Sequence, residues 1–119
     1  MKILSTAPVI HVSNFEQALQ YYTAVLGFTV DFKLPAYAGL LLGDTLIYIS
    51  GPDNGGLHKT PGSGHCCFDC DEVDGYFDEL NRRSALISFP IGDRFYGMRD
   101  FAVDDHDGNT LIFGKYVNE

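Results

Sequence analysis

The sequence has few basic residues, no tryptophan and no long hydrophobic run. Eight lysines and arginines stand against sixteen carboxylates in 119 residues, which gives a formal net charge of −8. Nucleic-acid binding needs clustered basic side chains that neutralise phosphates, so we expect no nucleic-acid partner. No stretch approaches the roughly 18–20 apolar residues that a membrane span needs, so we expect no membrane insertion. Acidity of this degree favours solubility and also attracts cationic small molecules.

Cysteine is scarce and clustered: Cys66, Cys67 and Cys70 are the only three. An odd, clustered set argues against a disulfide framework and for a reducing compartment. The first six residues contain one lysine and then become polar, which is a poor secretion signal. We therefore expect the protein to be cytoplasmic.

The pattern of hydrophobic residues predicts a strand, a helix and three strands, twice over. Asn14 and Asp71 are the predicted helix N-caps, and Gly27 is the predicted end of the first helix. Five glycines and two prolines predict a loop over residues 51–64. The expected strands cover residues 7–12, 28–34, 37–42, 45–50, 65–70, 86–91, 98–104 and 110–116. The chain is thus predicted to be one α+β domain, residues 1–119, with a first module at about 5–52, a hinge loop at 53–64 and a second module at about 65–117.

Side chains alternate between the two faces of a strand, so the pattern also assigns faces. The apolar set expected beneath the helices is Ile10, Val12, Ile47, Ile49, Cys66, Phe68, Cys70, Leu111 and Phe113. The opposite face is mixed and contains Ala7, Val9, His11, Leu46, Tyr48, Ser50, His65, Cys67, Asp69, Thr110 and Ile112. Such a mixture is typical of a sheet curved around a cavity, or of a face that another subunit covers.

The titratable clusters do not predict a metal site on their own. Alternation separates Cys67 from the other two cysteines, and the repeat places His11 and His65 about 13 Å apart. The remaining histidines, His58 and His106, fall in a loop and a turn and are expected to be solvent-exposed. Residues 104–107 include three aspartates, whose spacing indicates a turn stabilised by carboxylates rather than a helix-loop-helix calcium site.

Two segments carry a family resemblance, FEQALQYYTAVLGF at residues 15–28 and YGMRDFAVDDHDGNTLIFG at residues 96–114. With them the chain resembles the vicinal oxygen chelate superfamily, which includes glyoxalase I, extradiol dioxygenases, fosfomycin-resistance enzymes and bleomycin-resistance proteins. The resemblance implies two βαβββ modules that form an incomplete barrel around a cleft, often completed across a dimer.

Metal-dependent members of that superfamily place one ligand on the first and last strand of each module. The matching positions here are Ala7, Tyr48, His65 and Ile112, of which only His65 is a competent ligand. The resemblance therefore implies no metal and no cofactor, and it is strongest to the metal-free bleomycin-resistance branch. The sequence is similar to that branch over residues 26–46, at residues 64–67 and at Tyr96-Gly97.

We accordingly expect an antibiotic-resistance type of protein that sequesters an aromatic or cationic compound in a cleft of a homodimer. The modules would pair either within one chain or between chains. The expected ligand-binding residues are Phe32, Tyr37, Tyr48, His65 and Tyr96. Packing in the core or at a dimer interface is the alternative role for the aromatic ones. Two other hypotheses stay open: a lyase or isomerase that uses His65 as base or metal ligand, and a regulatory or immunity domain whose cleft binds nothing.

Overall fold

Two four-stranded sheets, each covered on one face by a helical segment, make up the computed structural model, which describes residues 1–117. The first module contains β1 (Val9–His11), α1 (Phe15–Gln20), β2 (Thr29–Leu34), β3 (Tyr37–Leu42) and β4 (Thr45–Ser50). The second contains β5 (His65–Asp69), α2 (Val73–Arg82), β6 (Leu86–Asp93), β7 (Met98–Asp104) and β8 (Thr110–Tyr116). The predicted α+β fold of two βαβββ modules is confirmed. The last two residues of the predicted domain, 118 and 119, lie outside the described part.

The two sheets have the same topology, with strand orders β1-β4-β3-β2 and β5-β8-β7-β6. The first strand of each module runs parallel to the last, and the other pairs are antiparallel. Equivalent cross-strand rows can be read directly from the register. One row is Val9, Tyr48, Gly39 and Phe32, and its counterpart is Cys67, Ile112, Ala102 and Phe89.

The predicted assignment of faces agrees with the observed burial. Ile10, Val12, Ile47, Ile49, Leu111 and Phe113 are all at most 2% exposed. Along β5, exposure alternates, with His65, Cys67 and Asp69 outside. Ser50 is the exception, because it is fully buried on the face expected to line a cavity. Asn54, from the loop that follows β4, donates its Nδ2 hydrogen to Ser50 Oγ at 2.9 Å.

The first helix begins as predicted and continues further than its α-helical part. The Oδ1 of Asn14 accepts the backbone N–H of Gln17 at 3.0 Å. After Gln20 the chain continues as a π-helical turn over Tyr21–Val25 and ends at Gly27, whose φ of 90° suits glycine.

The predicted cap of the second helix is wrong. Glu72 occupies the N-cap of α2 and makes no side-chain capping bond. Asp71 lies one residue earlier, and its Oδ1 accepts the N–H of Glu72 at 2.8 Å. Its carboxylate is thus engaged before the first helical turn, where a capping side chain would otherwise satisfy free N–H groups.

A buried carboxylate in the turn after β7 joins the two modules. Asp105 is 5% exposed, and its Oδ2 accepts the hydroxyl of Tyr22 at 3.0 Å and the Nδ2 of Asn109 at 2.8 Å. Its Oδ1 accepts the N–H groups of Asp107 and Asn109 at 2.9 and 3.0 Å. Asn109 Nδ2 also donates to the backbone carbonyl of His11 at 3.0 Å. The aspartate-rich segment is therefore a carboxylate-stabilised turn, as predicted, and it attaches the second module to β1 and to the π-helical turn that follows α1.

Among residues 1–117, no helix combines the length and the apolar character required to cross a bilayer.

Replacing Asp105 with alanine should lower the free energy of unfolding by at least about 2 kcal/mol, because the buried Tyr22 hydroxyl and the Asn109 amide lose their acceptor. Urea unfolding followed by circular dichroism measures this loss. Asp44→Ala is the matched control, since Asp44 is an exposed aspartate in the β3–β4 turn of the first module. Equal stability of the two variants would contradict the role assigned to Asp105.

Candidate functional site

A cleft of about 760 Å³ lies between the uncovered face of the first sheet and the loop that follows β4. Its volume is within the range of about 300–1,000 Å³ that is usual for small-molecule sites. Its lining includes apolar residues, namely Val9, Leu34, Tyr37 and Leu57. It also includes polar residues, namely His11, Asn54, Lys59, Thr60, Ser63 and Asn109.

The loop wall of the cleft is held by hydrogen bonds to the first module and to Asn109. The backbone N–H of Lys59 donates to His11 Nδ1 at 3.1 Å, and His58 Nε2 lies 3.1 Å from the carbonyl oxygen of Val12. The N–H of Gly64 donates to Asn109 Oδ1 at 2.7 Å. These three bonds fix the second half of the loop beside β1.

His58 was expected to be solvent-exposed, and this prediction is wrong. The residue is half-buried, because its ring packs against the His11 ring with centroids 5.4 Å apart and bonds to the Val12 carbonyl. The other such histidine, His106, is exposed as predicted and packs its ring against Tyr21.

The hydrogen bond from Lys59 fixes the state of the His11 ring. A nitrogen that accepts a backbone N–H carries no proton, so the neutral ring bears its hydrogen on Nε2. Burial lowers the pKa of His11 from its ordinary value of 6.5, and the positive charges of His58 and Lys59 lower it further. Among the described residues, the Nε2 of His11 has no hydrogen-bond partner, while the side chain lines the cleft.

Three of the predicted ligand-binding residues form an aromatic cluster on the uncovered face of the first sheet. Ring centroids are 6.3 Å apart for Phe32 and Tyr37, 5.6 Å for Phe32 and Tyr48, and 5.8 Å for Tyr37 and Tyr48. Phe32 lies across Gly39, where a Cβ atom would come within 2.3 Å of its ring. Tyr37 also lines the cleft, and burial, followed by the nearby Tyr48, raises its pKa. The hydroxyl of Tyr37 therefore remains protonated at neutral pH.

The other two predicted residues, His65 and Tyr96, belong to the second module. His65 is exposed on β5. The hydroxyl of Tyr96 donates to Asp100 Oδ2 at 2.7 Å, which raises its pKa, and Arg94 Nε donates to Asp100 Oδ1 at 2.7 Å. Arg94 also lies over the ring of Phe89, 4.0 Å from its centroid. Within one chain, therefore, the five predicted residues fall into two groups on two different sheets.

The four positions that hold a metal in metal-dependent relatives do not fit one here. The residues that the family resemblance puts at those positions are Ala7, Tyr48, His65 and Ile112. In the strand register Tyr48 lies opposite Val9 and Ile112 lies opposite Cys67. One imidazole and a neutral phenol are a poor donor set for a divalent cation. In the part of the chain that the structure describes, no three His, Cys, Asp or Glu side chains come together as a metal-binding group.

Charge is unevenly distributed around the molecule. Lys59 contributes a positive charge to the cleft, and the lining includes neither aspartate nor glutamate. Asp69, Asp100 and Asp104 lie instead on strands of the second sheet. The negative net charge of the chain is therefore not reflected in the residues that line the cleft. This lining does not support the expected preference for a cationic ligand. Lys59 was not predicted as a site residue, because its loop has no periodicity from which to infer its position.

The sequence over residues 3–113 matches the family model of the Glyoxalase/Bleomycin resistance protein/Dioxygenase superfamily. No curated protein matches it at a significant level. The fold is similar to that of TioX from Micromonospora sp. ML1, with 20% identity, a TM-score of 0.75 and coverage of 95% of this chain and 100% of that one. It is also similar to lactoylglutathione lyase from Agrobacterium tumefaciens, with 19% identity, a TM-score of 0.77 and coverage of 97% and 96%.

A glyoxalase/bleomycin resistance protein/dioxygenase from Nocardioides has 15% identity, a TM-score of 0.77 and coverage of 99% of this chain and 87% of its own. Structures at this level of identity show the shared fold, and the family model covers most of the sequence. The chain belongs to the glyoxalase/bleomycin resistance protein/dioxygenase superfamily.

Acidification should weaken the fold through His11. Because its pKa is lowered in the folded state, its contribution to stability is complete above pH 6.5 and is lost as the pH falls below that value. Protonation of Nδ1 also breaks the hydrogen bond from Lys59, because the N–H of the ring and the backbone N–H would then point at each other. We expect the free energy of unfolding of the wild type to fall between about pH 7.5 and pH 5, and that of His11→Gln to fall less.

Urea unfolding at several pH values measures this difference. His65→Gln is the control, since it removes an exposed histidine of the other module and should keep the wild-type dependence on pH. The interpretation fails if His11→Gln shows the same dependence as the wild type.

Proposed function

We propose that this superfamily member binds a small aromatic molecule in the cleft of the first module, without a metal ion and without modifying the molecule. The observation that carries the proposal is the aromatic cluster of Phe32, Tyr37 and Tyr48 on an uncovered sheet face, with Tyr37 shared between the cluster and the cleft. Flat rings stack on such clusters in offset or edge-to-face arrangements, each worth about 0.5–1.5 kcal/mol beyond burial. Sequestration of this kind in the cytoplasm would protect a cell from a toxic aromatic compound such as an antibiotic.

The proposal includes a homodimer. Each sheet keeps one face uncovered, and large apolar side chains are exposed there or at the adjoining hairpin. Leu34 is 54% exposed, Phe89 51%, Tyr96 53% and Phe95, in the β6–β7 hairpin, 100%. Exposed apolar surface of this kind is typical of an interface. Packing the first sheet of one protomer against the second sheet of another would bring Tyr37 close to the partner's side of the cleft, where His65 and Tyr96 belong.

The fold itself does not choose between binding and catalysis, because functions differ widely among proteins that share a fold. The alternative is a lyase or isomerase with His65 as base and Tyr48 as its partner. One observation favours binding over this alternative. Among the described residues, His65 makes no side-chain hydrogen bond that would orient it as a base.

Isothermal titration calorimetry with naphthamide, a neutral flat aromatic, tests the proposed binding. We expect a dissociation constant at or below about 100 μM, equivalent to about −5.5 kcal/mol, and weakening by about tenfold in Tyr37→Ala. Gln20→Ala, on the exposed side of α1, is the control and should bind like the wild type. Absence of binding, or equal binding by the Tyr37 variant, would count against a ligand in this cleft.

Light scattering after size-exclusion chromatography tests the assembly. The wild type should have twice the mass of the 13.2 kDa chain. Phe95→Asp should shift the equilibrium towards the monomer and leave the circular dichroism spectrum of the folded protein unchanged, because Phe95 is fully exposed in one chain. Gln20→Asp is a matched control on the helical face and should remain dimeric. A wild-type protein that is monomeric at tens of micromolar would refute the proposed dimer.

A further inference from the structure

We infer that the ligand of the cleft is an aromatic anion, with its ring on the apolar side of the cleft and its carboxylate bound by Lys59 and His11. The inference rests on the proposed function, because it specifies the charge of the molecule that the same cleft takes. It departs from the expectation of a cationic ligand that the net charge of the chain suggested.

The first argument is the state of Lys59. Its side chain is exposed and lines the cleft, which has no carboxylate in its lining. The ion pairs among residues 1–117 are Lys33 with Glu16, Arg83 with Glu79, Arg94 with Asp100, and Arg99 with Asp74 and Asp93. Lys59 takes part in none of these pairs. The same is true of Lys2, Arg82 and Lys115, but of these four residues only Lys59 lines the cleft. The cleft therefore offers an ammonium group that no carboxylate of the described chain neutralises.

The second argument is the hydrogen-bonding character of the other polar groups. The amide of Asn54 is engaged on both atoms, since its Nδ2 donates to Ser50 Oγ and to the Gly51 carbonyl, and its Oδ1 accepts the Gly56 N–H. The amide of Asn109 is also engaged on both atoms. Each Oδ1 already accepts one backbone N–H, so these amides offer a cation only one remaining lone pair each and no charged acceptor.

His11 adds a donor beside the ammonium group. The N–H of Lys59 occupies its Nδ1, so the hydrogen on Nε2 remains for a ligand. Because the backbone N–H of Lys59 donates to the His11 ring, the base of the Lys59 side chain is held next to that ring. The hydroxyls of Thr60 and Ser63, which also line the cleft, can donate as well.

The apolar residues of the lining supply the other part of the site. A flat ring can pack against Val9, Leu34 and Tyr37 on the first sheet and against Leu57 in the loop. An aromatic molecule with one acidic group matches both halves at once, whereas an aromatic cation would place its charge near Lys59. The carboxylates of Asp69, Asp100 and Asp104 lie on the other sheet and do not change the character of this lining.

Three probes test the inference: naphthoate, naphthamide and naphthylmethylammonium. They share the naphthalene ring, and the group attached to it is negative, neutral or positive. Isothermal titration of the wild-type protein should rank them in that order, with naphthoate bound on the order of tenfold more tightly than the ammonium compound. Lys59→Met should remove most of this preference, because it should weaken the binding of naphthoate much more than the binding of naphthamide. Lys33→Met is the matched control, because Lys33 pairs with Glu16 on the helical side, and it should keep the preference.

The outcomes separate this inference from the proposed function. If all three probes bind equally, or if the ammonium compound binds most tightly, the cleft still takes an aromatic molecule but the inferred charge is wrong. The inference is also wrong if Lys59→Met keeps the full preference for naphthoate. If none of the probes binds, the proposed function fails and the inference fails with it.

Discussion

The carboxylate of Asp105 holds the two modules in the arrangement on which the cleft depends. It accepts hydrogen bonds from Tyr22 in the helical segment of the first module and from Asn109 in its own turn. Asn109 in turn donates to the carbonyl of His11, at the end of β1, and accepts the N–H of Gly64, at the end of the loop. A buried charge with four donors is stable only when all of them are in place. Through Asn109 this one group fixes the end of the loop beside β1, while the bonds made by His58 and Lys59 fix its middle part.

Much of the fold could be predicted because it depends on local patterns. The bounds of β3, β4, β7 and β8 agree with the predicted strands, since apolar residues there alternate and turns follow glycine or proline. The cap of α2 was assigned one residue too early, and contacts between side chains distant in sequence could not be predicted. His58 is half-buried through Val12, which is 46 residues away, and Tyr22 reaches Asp105 across 83 residues. Ser50 is covered by a loop residue, which alternation along a strand cannot indicate.

The candidate site was predicted in part. Alternation placed Tyr48 and His11 on the cavity side, and the family resemblance identified Phe32 and Tyr37, which the structure brings together with Tyr48. The role of Lys59 could not be foreseen, because a glycine-rich loop has no period and its course depends on hydrogen bonds to β1. Net charge was also a poor guide to the cleft, since it sums over the whole surface while a ligand interacts with the groups nearest to it.

The most direct test of the central claim is a crystal structure of the protein with bound naphthoate. The ring should stack against Tyr37, with its carboxylate about 3 Å from Lys59 Nζ and within hydrogen-bonding distance of His11 Nε2. A complex in which the ring makes no contact with Tyr37, or in which the carboxylate points away from Lys59, would contradict the claim.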